Sequence, residues 1–181
     1  VVHDRVDCSA LTAWRGARVA SGLRGRVSRL LDMAEFALYE AHVLRTFRIV
    51  TVAGADDARW LRWLGRGCAV HVVPNGVAAL TPAVPATRSS EPLVVFSGNM
   101  AYHPNVDAAV HFARRIWPGV RDAVPCARFL IAGWRPSPEV SALNDHDGIT
   151  VTGPVIDMAQ TISRAWVAVA PMRCGAGVKN K

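Results

Sequence analysis

The spacing of apolar positions divides this chain into short segments of two periods. From Leu23 to Phe47 the period is helical, with Leu30, Leu31, Ala34, Leu38, Ala41 and Leu44 recurring at i, i+3, i+4 and i+7. The β-branched run Arg48–Ala53 predicts a strand. A second helix follows Gly54, with an aspartate of the Asp56-Asp57 pair as its N-cap, and carries Trp60, Leu61 and Leu64. Ala69–Val73 predicts a strand closed by the turn Pro74-Asn75-Gly76. Residues 1–20 mix Asp, Ser, Thr and Gly and read as irregular.

Beyond residue 92 strand and helix alternate regularly. Leu93–Ser97, Arg128–Ala132, Ile149–Thr152 and Val167–Ala170 have the apolar, β-branched character of buried strands. Between them lie helical stretches at Asn105–Trp117, Pro138–Leu143 and Asp157–Ala165. The first presents Val106, Ala109, Val110, Ala113, Ile116 and Trp117 on one face, the last Met158, Ile162 and Ala165. This order predicts an α/β fold, a parallel sheet with helices on both faces. Residues 79–92, with Pro82, Pro85 and Pro92 among Ser and Thr, read as a linker between a segment 1–78 and a segment 93–181.

Composition narrows the classes. Apolar residues make up 51% and charged residues 19%, which excludes a disordered chain. No apolar run reaches the ~18 residues that span a bilayer. The sequence opens on Val1-Val2-His3-Asp4 and closes on Val178-Lys179-Asn180-Lys181, so it reads as an interior piece of a longer protein. Cys8, Cys68, Cys126 and Cys174 form no CxxC pair and read as reduced thiols; the six histidines form no metal set. The net charge of +7 raises nucleic acid as a partner, but no basic block with interleaved aromatics supports it. The densest basic stretch, Arg15, Arg18, Arg24, Arg26 and Arg29, contains no acid from Cys8 to Leu31; it reads as a solvated face or as a surface for anionic lipid.

Parallel sheets bind ligands at the C-terminal ends of their strands. Four such ends carry Gly or Pro: Gly98-Asn99, Gly133-Trp134-Arg135, Gly153-Pro154-Val155, and Pro171 through Lys179. In the last, Gly175 and Gly177 make a flexible turn before Lys179, where a helix should begin; backbone N–H groups and an ammonium there suit a phosphate. Gly175-Ala176-Gly177 lacks the third glycine of a dinucleotide fingerprint and follows a late strand, so a nicotinamide cofactor is not expected. Asp145-His146-Asp147 precedes a strand and reads as a solvated turn rather than a metal–nucleotide motif.

In order and spacing, FSGNMAYHPNVDAAVHFARRIWPGV (96–120), ARFLIAG (127–133), ITVTGPVIDM (149–158) and AVAPMRCGAGVKNK (168–181) resemble the donor domain of family 4 glycosyltransferases of the two-Rossmann-domain (GT-B) type. Tyr39-Glu40, RIVTVAG, Asp56-Asp57 and VVPNGV (72–77) resemble the end of that family's acceptor domain. The resemblance implies that residues 1–78 end an acceptor domain and residues 93–181 begin a nucleotide-sugar domain. It implies sugar transfer from a nucleotide diphosphate to a glycan, lipid-linked or small-molecule acceptor, with retention and without a metal or cofactor. The implied donor contacts are Gly98, Asn99, Gly133, Gly153, Pro154, Val155, Gly175, Gly177 and Lys179, with Lys179 and Arg173 stabilising the diphosphate. A cytoplasmic location, peripheral at the inner membrane face through Arg15–Arg29, is the corresponding expectation.

Two departures stand out. The Arg and Lys that many members carry after the first glycine loop are replaced by Asn99 and His103-Pro104. No acid occurs between 158 and 181, where the first of a Glu pair would fall. A non-catalytic fragment and a sugar-nucleotide epimerase are the competing readings. The epimerase would need acids in the nucleotide cleft, and residues 96–104 and 171–181 supply none.

Overall fold

The computed structural model describes residues 1–65, 67–76, 87–144 and 146–176 of the 181. These form two compact units, one of residues up to 76 together with 173–176, the other of residues 87–172. Most of the stretch read as a linker lies outside the described residues.

The first unit is a three-stranded parallel sheet, β1 (Val2–Arg5), β2 (Ile49–Val52) and β3 (Ala69–Val72), in that order. Helix α1 (Ser9–Val19) occupies a stretch expected to be irregular. Its buried face consists of Ala10, Leu11, Ala13, Gly16 and Ala17. Small residues carry little hydrophobic signal, yet they let a helix approach its neighbour closely. Helix α2 (Gly22–Thr46) begins at Gly22, whose φ is +79°. Helix α3 (Ala55–Leu64) is capped by Gly54 rather than by an aspartate side chain. Asp57, one of the two aspartates considered for the cap, instead turns inward and accepts the Cys8 N–H at 2.9 Å.

Helix α2 does not bury the face its periodicity marks. Of its residues only Glu40, Val43 and Leu44 are buried, while Leu31 is 66% and Leu38 74% exposed. The periodicity correctly indicates a helix, but it leaves the surroundings of the apolar stripe undetermined.

The second unit is a four-stranded parallel sheet in the order β6-β5-β4-β7, from β4 (Leu93–Ser97), β5 (Arg128–Ala132), β6 (Ile149–Gly153) and β7 (Val167–Ala168). One continuous helical stretch links β4 to β5: α4 (His103–His111), a π-helical turn over Phe112–Ile116, and α5 (Trp117–Ala123). It starts two residues before the expected Asn105, because Pro104 suits the first helical turn. Phe112, Trp117 and Phe129 pack with ring centroids 4.7 to 6.5 Å apart at the centre of this unit's core. Short helices α6 (Pro138–Ser141) and α7 (Met158–Ser163) begin at side-chain caps from Ser137 and Asp157. No residue of α7 is buried, against the one-sided burial expected of Met158 and Ile162.

Candidate functional site

All four strands of the second sheet run parallel, so their C-terminal ends share one edge. Three glycines meet there. Gly98 N–H donates to the Ala132 carbonyl at 3.1 Å, and Gly133 N–H donates to the Gly153 carbonyl at 2.9 Å. Gly133 adopts φ +150°, and a Cβ built on it would overlap the Gly98 carbonyl oxygen and lie 2.8 Å from its carbon. The loops after β4 and β5 therefore touch backbone to backbone, which only glycine permits. Gly153 adopts φ +67°, also a glycine conformation. The β5–β6 pairing runs from Ile131↔Val151 to Ala132↔Gly153, so Thr152 is bulged out of the ladder beside Gly153. Such bulges re-aim a strand end next to binding sites.

The side chains near this edge mostly shape it. Asn99 Oδ1 accepts the Ala101 N–H at 3.0 Å, and the Asn99 carbonyl accepts from Asn105 Nδ2 at 2.9 Å. Asn99 thus fixes the loop, and Asn105, which sequence reading passed over, holds it from the first turn of α4. Pro154 is exposed and Val155 half-buried just past Gly153. Trp134, 61% exposed, stands next to Gly133 and presents an aromatic plane; Arg135 after it takes φ +52°. The sequence marked Trp134 only as part of a strand end.

The fourth loop behaves differently. Gly175 and Ala176 are buried, and both group with the first unit. Arg15 Nη1 donates to the Gly175 carbonyl at 3.0 Å, and Ala176 N–H donates to Thr12 Oγ1 at 3.1 Å. Gly175 adopts φ +103°. Arg173 is exposed. Gly177 and Lys179 lie outside the described residues. Arg15 is committed to this loop and to Asp56, at 2.7 Å, and Arg18 lies 5.3 Å over the Trp14 ring. Of the basic stretch, Arg24 and Arg26 remain on the open surface, with Arg29 half-buried against Asp32.

The first unit buries charge instead of backbone. Glu40 is fully buried at the junction of three helices and a strand. It accepts from Arg5 at 3.2 Å, from the Ala10 N–H at 3.3 Å and from Trp60 Nε1 at 3.1 Å. Cys8 lies beside it; burial, then the Glu40 and Asp57 charges, pushes its thiol far above the ordinary range. The side chain is closed off from solvent, as in a structural cysteine. Among the described residues no disulfide joins the cysteines, and no three His, Cys, Asp or Glu side chains converge as a metal site. Asp147 belongs to a turn, its carbonyl accepting from Trp117 Nε1 at 2.9 Å; Asp145 lies outside the described residues.

The family model described as glycosyl transferases group 1 matches residues 91–181, half of the chain. No curated protein sequence matches significantly. Among solved structures the chain is similar to that of TarM, with a TM-score of 0.56 at 13% identity over 74% of this chain. It is similar, with a TM-score of 0.57 at the same identity and coverage, to a mutant of S. aureus TarM in complex with Fondaparinux, alpha-GlcNAc-glycerol and UDP. The chain spans 27% of the length of each. At this identity the likeness establishes the fold, part of a GT-B Rossmann-like architecture. The family match goes further: the chain belongs to the glycosyl transferases group 1.

Proposed function

We propose, from this membership, that the protein moves a sugar from a nucleotide-diphosphate donor to a glycan, lipid-linked or small-molecule acceptor, with retention and without a metal or organic cofactor. The observation that carries the proposal is the Gly98–Gly133–Gly153 edge. It offers backbone at close range, and the residues directly after its strands, 98–104, 133–137 and 153–156, include no Asp or Glu to repel a diphosphate. In this reading residues 1–78 end the acceptor domain and residues 93–181 begin the donor domain. Trp134 supplies a plane for the nucleobase beside Gly153, Pro154 and Val155. The TarM complex with UDP gives the reading a chemical parallel, as a property of that protein.

Cleaving the sugar–phosphate bond builds positive charge on the sugar and negative charge on the departing diphosphate. Preorganised donors and cations at the diphosphate lower that barrier by ~3–4 kcal/mol for a key group. Arg173 and Lys179 are the cations of the loop after β7, and they take this role because Asn99 and His103-Pro104 supply no Arg–Lys pair after β4. The expected outcome for Lys179→Ala in the intact protein is a kcat at least tenfold lower with nucleotide binding retained. Unchanged steady-state kinetics for donor turnover would remove Lys179 from the mechanism.

The acceptor side carries a second element of the proposal. Leu23, Val27, Leu30, Leu31 and Leu38 form an exposed stripe along α2, with Arg24 and Arg26 on the open surface nearby. A basic amphipathic face of this kind suits an anionic membrane surface at the cytoplasmic side. Among the described residues no helix is long and apolar enough to cross a membrane. Charge reversal, Arg24→Glu with Arg26→Glu, is expected to weaken flotation with phosphatidylglycerol vesicles about tenfold or more, and equal flotation would remove membrane contact from the reading.

A further inference from the structure

Helix α3 has a second face that the core does not use. Asp56, Arg59, Trp60 and Trp63 follow one another at i, i+3, i+4 and i+7, so they form one stripe. Leu11 and Arg15, one turn apart on α1, face that stripe, and the six side chains line an open groove of about 380 Å³. That volume falls in the ~300–1,000 Å³ range of small-ligand sites. Trp63 is 74% exposed, although tryptophan is among the residues with most to gain from burial. Its ring lies 5.2 Å from that of Trp60 at an interplanar angle of 41°, so the two make a concave aromatic wall. Trp60 is anchored by its Nε1 bond to the buried Glu40, which leaves its ring no freedom to close the groove.

The charged end of the groove is equally organised. Asp56 lies 2.7 Å from Arg15 and 3.6 Å from Arg59, and more than half of its side chain stays open to solvent. Carboxylate oxygens and guanidinium N–H groups are thus presented side by side, one accepting and the other donating. Along the helix axis the distance from Asp56 to Trp63 is about 10 Å, the span of two linked sugar rings.

A pyranose has one face of C–H bonds and an edge of adjacent hydroxyls. The first packs on an indole plane; the second both donates and accepts, and so matches a carboxylate flanked by guanidinium groups. A nucleotide is poorly served, since Asp56 would meet its phosphates. An anionic lipid surface meets the same carboxylate, and a concave wall cannot insert. We propose that the α1–α3 groove is an oligosaccharide-binding subsite, with Trp63 as its stacking platform and Asp56, Arg15 and Arg59 as its hydroxyl-binding end. This rests on the glycosyl-transfer reading for its biological sense, and it names a glycan as the class of acceptor.

The test titrates the intact protein with maltotriose, cellotriose, chitotriose and a heparin tetrasaccharide, following tryptophan fluorescence and calorimetry. UDP and GDP binding and donor hydrolysis are measured on the same samples. At least one oligosaccharide is expected to bind, and Trp63→Ala to weaken it tenfold or more while leaving the melting temperature and nucleotide binding unchanged. Asp56→Ala is expected to weaken it about threefold or more. The proposal is overturned if none of the four sugars binds, or if Trp63→Ala binds them as the parent does. It is also overturned if Trp63→Ala loses affinity for phosphatidylglycerol vesicles but not for sugar. Glycan binding without any donor binding or hydrolysis would uphold the groove and sink the transfer reading; donor turnover with no glycan binding would do the reverse.

Discussion

The two units solve the same packing problem with opposite materials. Both are parallel sheets covered by helices, and both must hold loops at the ends of their strands. In the second unit backbone contacts dominate: Gly98, Gly133 and Gly153 lie within hydrogen-bond reach of neighbouring main chain, with the Asn99 and Asn105 amides bracing the first loop. In the first unit side-chain charge does the same work, with Glu40 tying Arg5, Ala10 and Trp60 together from a fully buried position. An edge made of glycine backbone, without Cβ atoms, lets a diphosphate approach the main chain closely. A wall made of fixed side chains can instead present aromatic and charged groups at defined spacing. Under the proposed function the first would face a donor and the second an acceptor.

If the contrast is real, the two units should fail in different ways. The largest effect is expected at Gly133. Gly133→Val places a side chain inside the Gly98 carbonyl, so either the loop or the sheet edge must move. A loss of at least ~4 kcal/mol is expected, the range reserved for strain and overpacking that cannot relax. Thermal denaturation of the intact protein checks it, and a variant that melts as the parent does would show that the two loops are not in contact.

Next comes Glu40. Glu40→Ala leaves the Arg5 guanidinium, 10% exposed, without its countercharge. Removing one partner of a buried pair costs about 3–5 kcal/mol, whereas replacing both by apolar groups of similar size is often nearly neutral. Glu40→Ala should therefore destabilise strongly in urea, and Arg5→Met with Glu40→Met should recover most of the loss. A double variant no better than Glu40→Ala would mean that the bonds to Ala10 and Trp60, rather than the ion pair, hold the first unit together.

The same contrast explains what the sequence disclosed. Strands such as Leu93–Ser97 and Arg128–Ala132 were legible because buried parallel strands are continuous apolar runs. Glycines directly after them marked the site edge, since turn chemistry is local. Helix α1 was not legible: its buried face is alanine and glycine, which periodicity barely registers. The exposed stripe of α2 could not be told from a core stripe, because spacing reports a face and not what covers it. Asp57 looked like a cap and is instead the acceptor for the Cys8 N–H, a bond between residues 49 positions apart that no local pattern encodes. Trp63 escaped for the same reason, and Arg15 was read only as part of the basic stretch. Each is ordinary in its own helix, and only the pairing of α1 with α3 makes a groove of them.

The smallest expected effect sharpens the charged end of that groove. Hydrogen bonding to Arg15, and then its charge, holds the Asp56 carboxyl below its usual range. A depressed carboxylate stabilises the fold above its unfolded-state pKa, and the contribution disappears as pH falls through the folded value. Asp56→Asn should therefore lower the melting temperature slightly at pH 7, with the difference from the parent closing on acidification below about pH 4. High salt should shrink it at every pH, because the pair is open to solvent. A deficit that stays constant from pH 7 to pH 2 would assign Asp56 a packing role. The groove would then have to bind hydroxyls without a charged acceptor held in place by Arg15.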